Sequence, residues 1–144
     1  MNNFKFGHKS LKELSTVAPE LQEITQLALK HSEIDFSVLE GYRTRERQFQ
    51  LWQQGASKLN GIKKGEVNGT AGQFITGTGV SKHQMGHAVD LAPYVSGSIR
   101  WDWPLFYKLA FSMYLAADKL NIMIEWGGSW KTFKDGPHFQ LRPL

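Results

Sequence analysis

Ser81-Lys82-His83-Gln84-Met85-Gly86-His87-Ala88-Val89-Asp90 is the stretch that decides the fold, read together with Asp135-Gly136-Pro137-His138-Phe139. Gly86 permits a tight backbone turn after His83. Beyond that turn, strand alternation puts Ala88 and Asp90 on one face and Val89 and Leu91 on the other. Asp90 then points where His83 can share an ion with it, and the small Ala88 leaves space on that face. His138 stands at the start of another strand. An adjacent antiparallel strand brings it alongside Asp90. Two imidazoles and one carboxylate suit Zn²⁺ with one position left open, a set that Fe, Co or Mn can also occupy.

The neighbouring residues supply the rest of a hydrolytic constellation. Asp135, three residues before His138 and across a Gly-Pro turn, is the candidate general base for a water attacking an amide carbonyl. Asp before Gly also simply starts turns. Glu125, in a strand near the site, is the alternative base. His87 is the rival ligand, because His83 and His87 share the i, i+4 spacing of helical zinc motifs. Gln84 lacks that motif's base and Gly86 argues against a continuous helix, so His87 is expected beside the cleft. Arg43 lies between a strand and a helix start, where the helix dipole disfavours a cation. Its guanidinium can stabilise an oxyanion or hold a substrate carboxylate. Trp126 and Trp130 flank Gly127-Gly128, either as cleft lining or as core. Arg45, Arg47, His8 and His31 read as surface residues.

Working outward, Ser10 to Val17 predicts a short helix with Ser10 as N-cap and Glu13 completing a capping box. Pro19 opens a helix over residues 20–30, with Leu21, Ile24, Leu27 and Ala28 on one face. Residues 36–42 predict a strand. Thr44 caps a helix that runs to Gln54 and stops at Gly55. Residues 55–80, rich in Gly, Ser, Thr and Asn, read as a long loop, and a loop of that length in a compact domain is usually functional or mobile. Residues 88–92 predict a strand ended by Pro93. Trp103-Pro104 starts a helix to about Leu120, with Phe106, Leu109, Ala110, Met113, Tyr114 and Ala117 as its apolar stripe. Residues 122–126 and 139–141 predict two more strands. This order implies an α+β fold with a small antiparallel sheet and flanking helices.

Composition narrows the chemistry. A chain of 144 residues is one domain's worth, and residues 1–144 are expected to form a single catalytic domain. There are no cysteines, which excludes disulfides, thiolate zinc sites and thiol nucleophiles. The net charge of +4 suits an anionic polymer. The densest clusters, Arg43-Thr44-Arg45-Glu46-Arg47 and Lys63-Lys64, form no basic stripe of the kind nucleic acid requires. The start, Met1-Asn2-Asn3-Phe4-Lys5-Phe6-Gly7, has no apolar signal-peptide region, and no stretch is long and apolar enough to span a membrane.

The pattern Ser81-x-His83-x-x-Gly86-x-Ala88-x-Asp90, followed by Trp126-Gly127-Gly128-x-Trp130-Lys131-x-Phe133-x-Asp135-x-Pro137-His138-Phe139, resembles the zinc peptidoglycan peptidases of the D-Ala-D-Ala carboxypeptidase type. It is most similar to their phage and bacterial L-alanyl-D-glutamate endopeptidases. Tyr42-Arg43-Thr44 matches the Arg-Thr at the end of that family's first strand, and the resemblance covers nearly the whole chain. It implies zinc held by His83, Asp90 and His138, Asp135 as acid/base, Arg43 as orienter of substrate or of the tetrahedral intermediate, and Ser81 as a substrate contact. His87 and Trp126 complete the expected substrate-binding set. It also implies a sheet-and-helix fold shared with lysostaphin-like enzymes and the hedgehog domain. Ser129 and Gln140 depart from the family pattern, since relatives often carry acids there.

The expectation is a phage endolysin that cuts the L-Ala–D-Glu bond of the stem peptide. Such a protein is made in the host cytoplasm, leaves with the help of a holin, and acts on the wall in the periplasm as a monomer. No wall-binding domain is recognisable, so the basic charge is expected to supply wall affinity. The alternatives are a D-Ala-D-Ala carboxypeptidase or dipeptidase on the same site, and a non-catalytic zinc-stabilised binding domain.

Overall fold

A computed structural model describes residues 2–62 and 79–142. The centre of the expected 55–80 loop, with Lys63-Lys64, lies outside the described residues. The flanking parts, 55–62 and 79–80, form no helix or strand. In chain order the elements are α1 (His8–Leu14), α2 (Pro19–His31), β1 (Phe36–Glu40), α3 (Arg45–Gln53), a 3₁₀ turn (Lys82–Met85), β2 (Ala88–Val95), β3 (Ser98–Ile99), α4 (Trp103–Lys119), β4 (Ile124–Trp126), a second 3₁₀ turn (Gly127–Ser129) and β5 (His138–Leu141). The strands pair antiparallel in the order β1-β2-β5-β4, with β3 also on β2. This is the α+β architecture implied by the pattern.

One face of the sheet makes the core. Val89 and Leu91 of β2, Phe139 of β5 and Ile124 and Trp126 of β4 are buried there with Leu21 and Ile24 of α2 and Phe106, Leu109 and Met113 of α4. The other face of β2 and β5 carries Ala88, Asp90, His138 and Gln140, paired as Ala88↔Gln140 and Asp90↔His138. Period-two alternation thus separates the packing residues from the polar ones on the same strands.

Several boundaries shift for tertiary reasons. Helix α1 begins at His8 after the N-cap Gly7. Ser10 is inside it, and its hydroxyl accepts the Val38 N–H at 3.0 Å instead of capping. Strand β1 stops at Glu40 because Gly41 N–H donates to Glu13 and Tyr42 N–H donates to Thr16, both turned toward α1. Pro93 does not end β2. On the side where β5 has ended, since Leu91 N–H bonds Pro137 there, the arm of β3 takes over: Arg100 N–H donates to Pro93 O at 2.9 Å, so the strand continues and only the reciprocal bond that the proline cannot donate is missing. Strand β4 starts late because Ile122 N–H still bonds Ala117 O of α4. Tyr114 is half-exposed, and its hydroxyl accepts the Trp126 N–H at 3.1 Å.

Candidate metal centre

His83 sits on the single 3₁₀ turn between Ser81 and Gly86. Ser81 caps this turn: its hydroxyl accepts the His83 N–H, and its own N–H donates to the Gln84 side chain. Gly86 ends the turn with φ +71°, a left-handed conformation that glycine adopts without strain. The i, i+4 relation therefore fails to put His87 beside His83. His87 is exposed, and it is not among the residues lining the cleft described below.

Three ligand-type atoms converge. His83 Nε2 lies 3.1 Å from Asp90 Oδ1 and 3.2 Å from His138 Nδ1. His138 Nδ1 lies 3.6 Å from Asp90 Oδ1. Ligands on a tetrahedral zinc with bonds of about 2.0–2.1 Å sit roughly 3.3 Å apart, so this triangle has the size of one face of that tetrahedron. The remaining ring nitrogens are also accounted for. His83 Nδ1–H donates to Gly41 O at 2.8 Å, and His138 Nε2–H donates to Gln140 Oε1 at 2.7 Å. Each bond fixes the tautomer that leaves a lone pair on the converging nitrogen. The three residues fit a divalent metal.

Arg43 orders the carboxylates around this triangle. A bulge between Val38 and Glu40 sets Glu40 opposite Asp90 in the β1–β2 pairing. The buried guanidinium lies between the two acids. It donates from Nε and Nη2 to Glu40, from Nη2 to Asp90 Oδ2 at 3.2 Å, and from Nη1 to Gln48 at 2.8 Å. Four of its five N–H donors are thereby committed to protein acceptors, and one on Nη1 has no acceptor among the described residues. Gln48, buried on α3, passes the tie on to Ser57 and Leu59 O.

These groups open into a cleft of about 620 Å³, whose lining includes His83, Asp90, His138, Asp135, Arg43, Ser81 and Trp130. Burial, then the charge of Asp90, pushes the Asp135 carboxyl above its ordinary value, against the pull of His138, His83 and Arg43. Burial disfavours the Asp90 anion, yet the His83 charge and hydrogen bonds to both imidazoles hold its carboxyl well below the usual range. Burial also disfavours the charged form of His138. The hydrogen bond and charge of Asp90, with help from Gln140 and Asp135, outweigh it and raise the His138 pKa.

Trp126 is on the wrong face for the cleft. It pairs with Phe139, and its ring stacks on Phe139 at 6.2 Å on the core side of the sheet. Its indole N–H donates to Gly136 O at 2.7 Å, which anchors the segment carrying Asp135 from behind. Trp130 is the aromatic that lines the cleft, with its ring 5.1 Å from that of His138. Glu125 accepts the Trp130 indole N–H at 2.8 Å and a longer bond from Gln140. It supports the His138 side and does not line the cleft. Glu40, Gln48 and the Gly41 carbonyl escaped the sequence reading. They act through contacts distant in sequence and belong to no local motif.

A model of the family described as phage L-alanyl-D-glutamate peptidase matches residues 2–141. The L-alanyl-D-glutamate peptidase of Escherichia phage T5 is 35% identical over 134 residues, covering 92% of this chain and 86% of its own. The peptidoglycan L-alanyl-D-glutamate endopeptidase CwlK of Bacillus subtilis (strain 168) is 29% identical over 139 residues, covering 91% and 75%. Among solved structures, the Serratia marcescens L-Ala D-Glu endopeptidase ChiX superposes with a TM-score of 0.78 at 34% identity, covering 97% of this chain and 92% of that one. The D,D-dipeptidase VanXYg shares the fold, with a TM-score of 0.50 at 14% identity over 87% of this chain and half of its own.

Proposed function

This chain belongs to the phage L-alanyl-D-glutamate peptidase family and is a peptidase, and from that premise we propose that it hydrolyses the L-Ala–D-Glu bond of the peptidoglycan stem peptide with zinc as its metal. The observation that carries the metal reading is the triangle of His83 Nε2, Asp90 Oδ1 and His138 Nδ1, with both spare imidazole nitrogens already bonded.

Bound zinc supplies Lewis acidity, polarising the scissile carbonyl and acidifying water. Asp135 takes the proton from the attacking water and returns it to the departing amine nitrogen. Its raised pKa suits a group that must both accept and release a proton. Arg43 is a positioning residue. It holds Asp90 by the oxygen that does not face the histidines, and keeps one N–H for substrate. Ser81 aims His83 and offers a cleft-side hydroxyl, and Trp130 supplies an apolar wall beside His138. The whole chain works as one catalytic domain and as a monomer. It is made in the host cytoplasm, leaves it with a holin's help, and reaches the periplasmic wall, where its positive charge favours the anionic polymer.

Mass spectrometry of fragments released from purified peptidoglycan tests this reading. New L-alanine C-termini and D-glutamate N-termini, lost on chelation and restored by Zn²⁺, are expected. Free D-alanine instead overturns the choice of bond. Release that survives complete metal removal overturns the role of the metal.

A further inference from the structure

His138 faces the metal position with Nδ1, and only the tautomer protonated on Nε2 leaves a lone pair there. The group that selects this tautomer is the Gln140 side chain, and an amide can bond in two senses. Its oxygen accepts the Nε2–H and keeps Nδ1 free for a metal. Turned by 180°, the amide would present its NH₂ group to Nε2 and favour the tautomer with the proton on Nδ1. An acid, which the family pattern often has at this position, accepts with either oxygen and has no wrong orientation. In this chain the amide must be held the right way round.

Glu125 is placed to hold it. It stands directly opposite Gln140 in the β4–β5 pairing, so the two side chains rise from the same face of the sheet. Glu125 Oε2 lies 3.4 Å from Gln140 Nε2. An ionised carboxylate only accepts, so it attracts the NH₂ end of the amide and repels the oxygen. The same Oε2 accepts the Trp130 indole N–H at 2.8 Å, and an indole only donates. Both arms of this row therefore run one way. Trp130 donates to Glu125 from the cleft wall, and His138 donates toward it through the Gln140 amide.

We infer that Glu125 is a positioning residue that orients the Gln140 amide so that His138 presents Nδ1 to the metal, and that it fixes Trp130 in the cleft wall with the same oxygen. Glu125 belongs neither to the ligand triangle nor to the cleft lining, so its effect passes through these two neighbours. The inference rests on the metal reading of the triangle and is independent of which peptide bond is cut.

A double-mutant cycle on the full chain tests it, with zinc affinity read by competition with a chromophoric chelator. Glu125→Gln keeps the size of the side chain and removes the fixed acceptor. With Gln140 in place it should weaken zinc binding roughly tenfold, the lower end of the effect of losing a partner behind a metal ligand. In a Gln140→Glu background the same substitution should weaken binding by less than about twofold, the scatter of an additive cycle. A carboxylate at position 140 accepts the Nε2–H either way up and needs no orienting partner. If Glu125 acted only through its charge or its packing, the loss would be equal in the two backgrounds, and that result overturns the inference. No loss with Gln140 in place overturns it too. A second readout follows the proton itself. In the zinc-loaded protein the His138 Nε2–H is expected as a slowly exchanging imidazole resonance, and Glu125→Gln should speed its exchange with water; an unaltered exchange rate counts against the role of Glu125. Absence of zinc binding by the unaltered protein would instead overturn the metal reading on which the inference stands.

Discussion

As the proposed base, Asp135 has to accept a proton in a cleft where Asp90 already carries a negative charge. Burial and that charge both raise its pKa, which moves the carboxyl toward the range where proton exchange with water is efficient. Asp135→Asn keeps the size of the side chain and removes the base. Metal content measured by mass spectrometry should stay the same while kcat falls roughly a hundredfold or more. Unchanged turnover would remove Asp135 from the mechanism. Arg43 has a different vulnerability. Arg43→Met leaves Glu40 and Asp90 facing each other without the cation between them. Breaking a buried pair in this way costs roughly 3–5 kcal/mol, so urea unfolding of the chelated protein should show a large loss. Arg43→Lys should recover only part of it, because one ammonium cannot bond three separated acceptors. The candidate ligands and Asp135 are legible in the sequence because each belongs to a short motif. The commitment of Arg43 to Asp90 is not, because the two are brought together only by the β1–β2 pairing.

At the scale of elements, the ends of β1 and β5 hold the imidazoles in place. Gln140 departs from the acid that the family pattern often has there, yet it sits opposite the small Ala88 and accepts the His138 Nε2–H. Gln140→Leu should lower zinc affinity roughly 10- to 100-fold, the usual effect of losing a partner behind a metal ligand, as read by competition with a chromophoric chelator. Gly41 provides the carbonyl for His83. A Cβ there would collide with Glu13 O and the Thr16 hydroxyl of the α1 segment. Gly41→Ala should cost roughly 1–3 kcal/mol in unfolding free energy and weaken metal binding as its carbonyl shifts. Wild-type zinc affinity in either variant would remove that element from the support of the site. Helices α2 and α4 were readable from apolar spacing, and α3 from its cap and closing glycine. The bulge in β1 and the passage of β2 through Pro93 were not, because both depend on which neighbouring strand is present at that point.

The whole molecule should show opposite pH responses with and without metal. In the metal-free protein the His138 pKa is raised above its ordinary 6.5. That contribution to stability is complete below pH 6.5 and is lost as pH rises through the folded value. The Asp90 pKa is depressed below its ordinary 3.8, so its contribution is present above that pH and is lost as pH falls through the folded value. The pair therefore stabilises the metal-free fold best between those two ordinary values. Metal must displace the His138 proton, so its affinity rises with pH. Thermal melts from pH 6 to 8 should show the Tm of the chelated protein falling while the gap to the zinc-loaded protein widens. A constant gap would mean that His138 does not exchange a proton for the metal.

The sequence by itself determined the α+β class, and it singled out the candidate ligand set and the proposed base. Those depend on alternation, turn residues and donor chemistry, all of which are local. Only the tertiary structure decided which nitrogen of each histidine faces the metal position, that Trp130 and not Trp126 lines the cleft, and that His87 points away. Gly86 turns the chain before His87 can share a face with His83. One step along β4 reverses the side of the sheet, which sends Trp126 to the core and Glu125 toward Gln140.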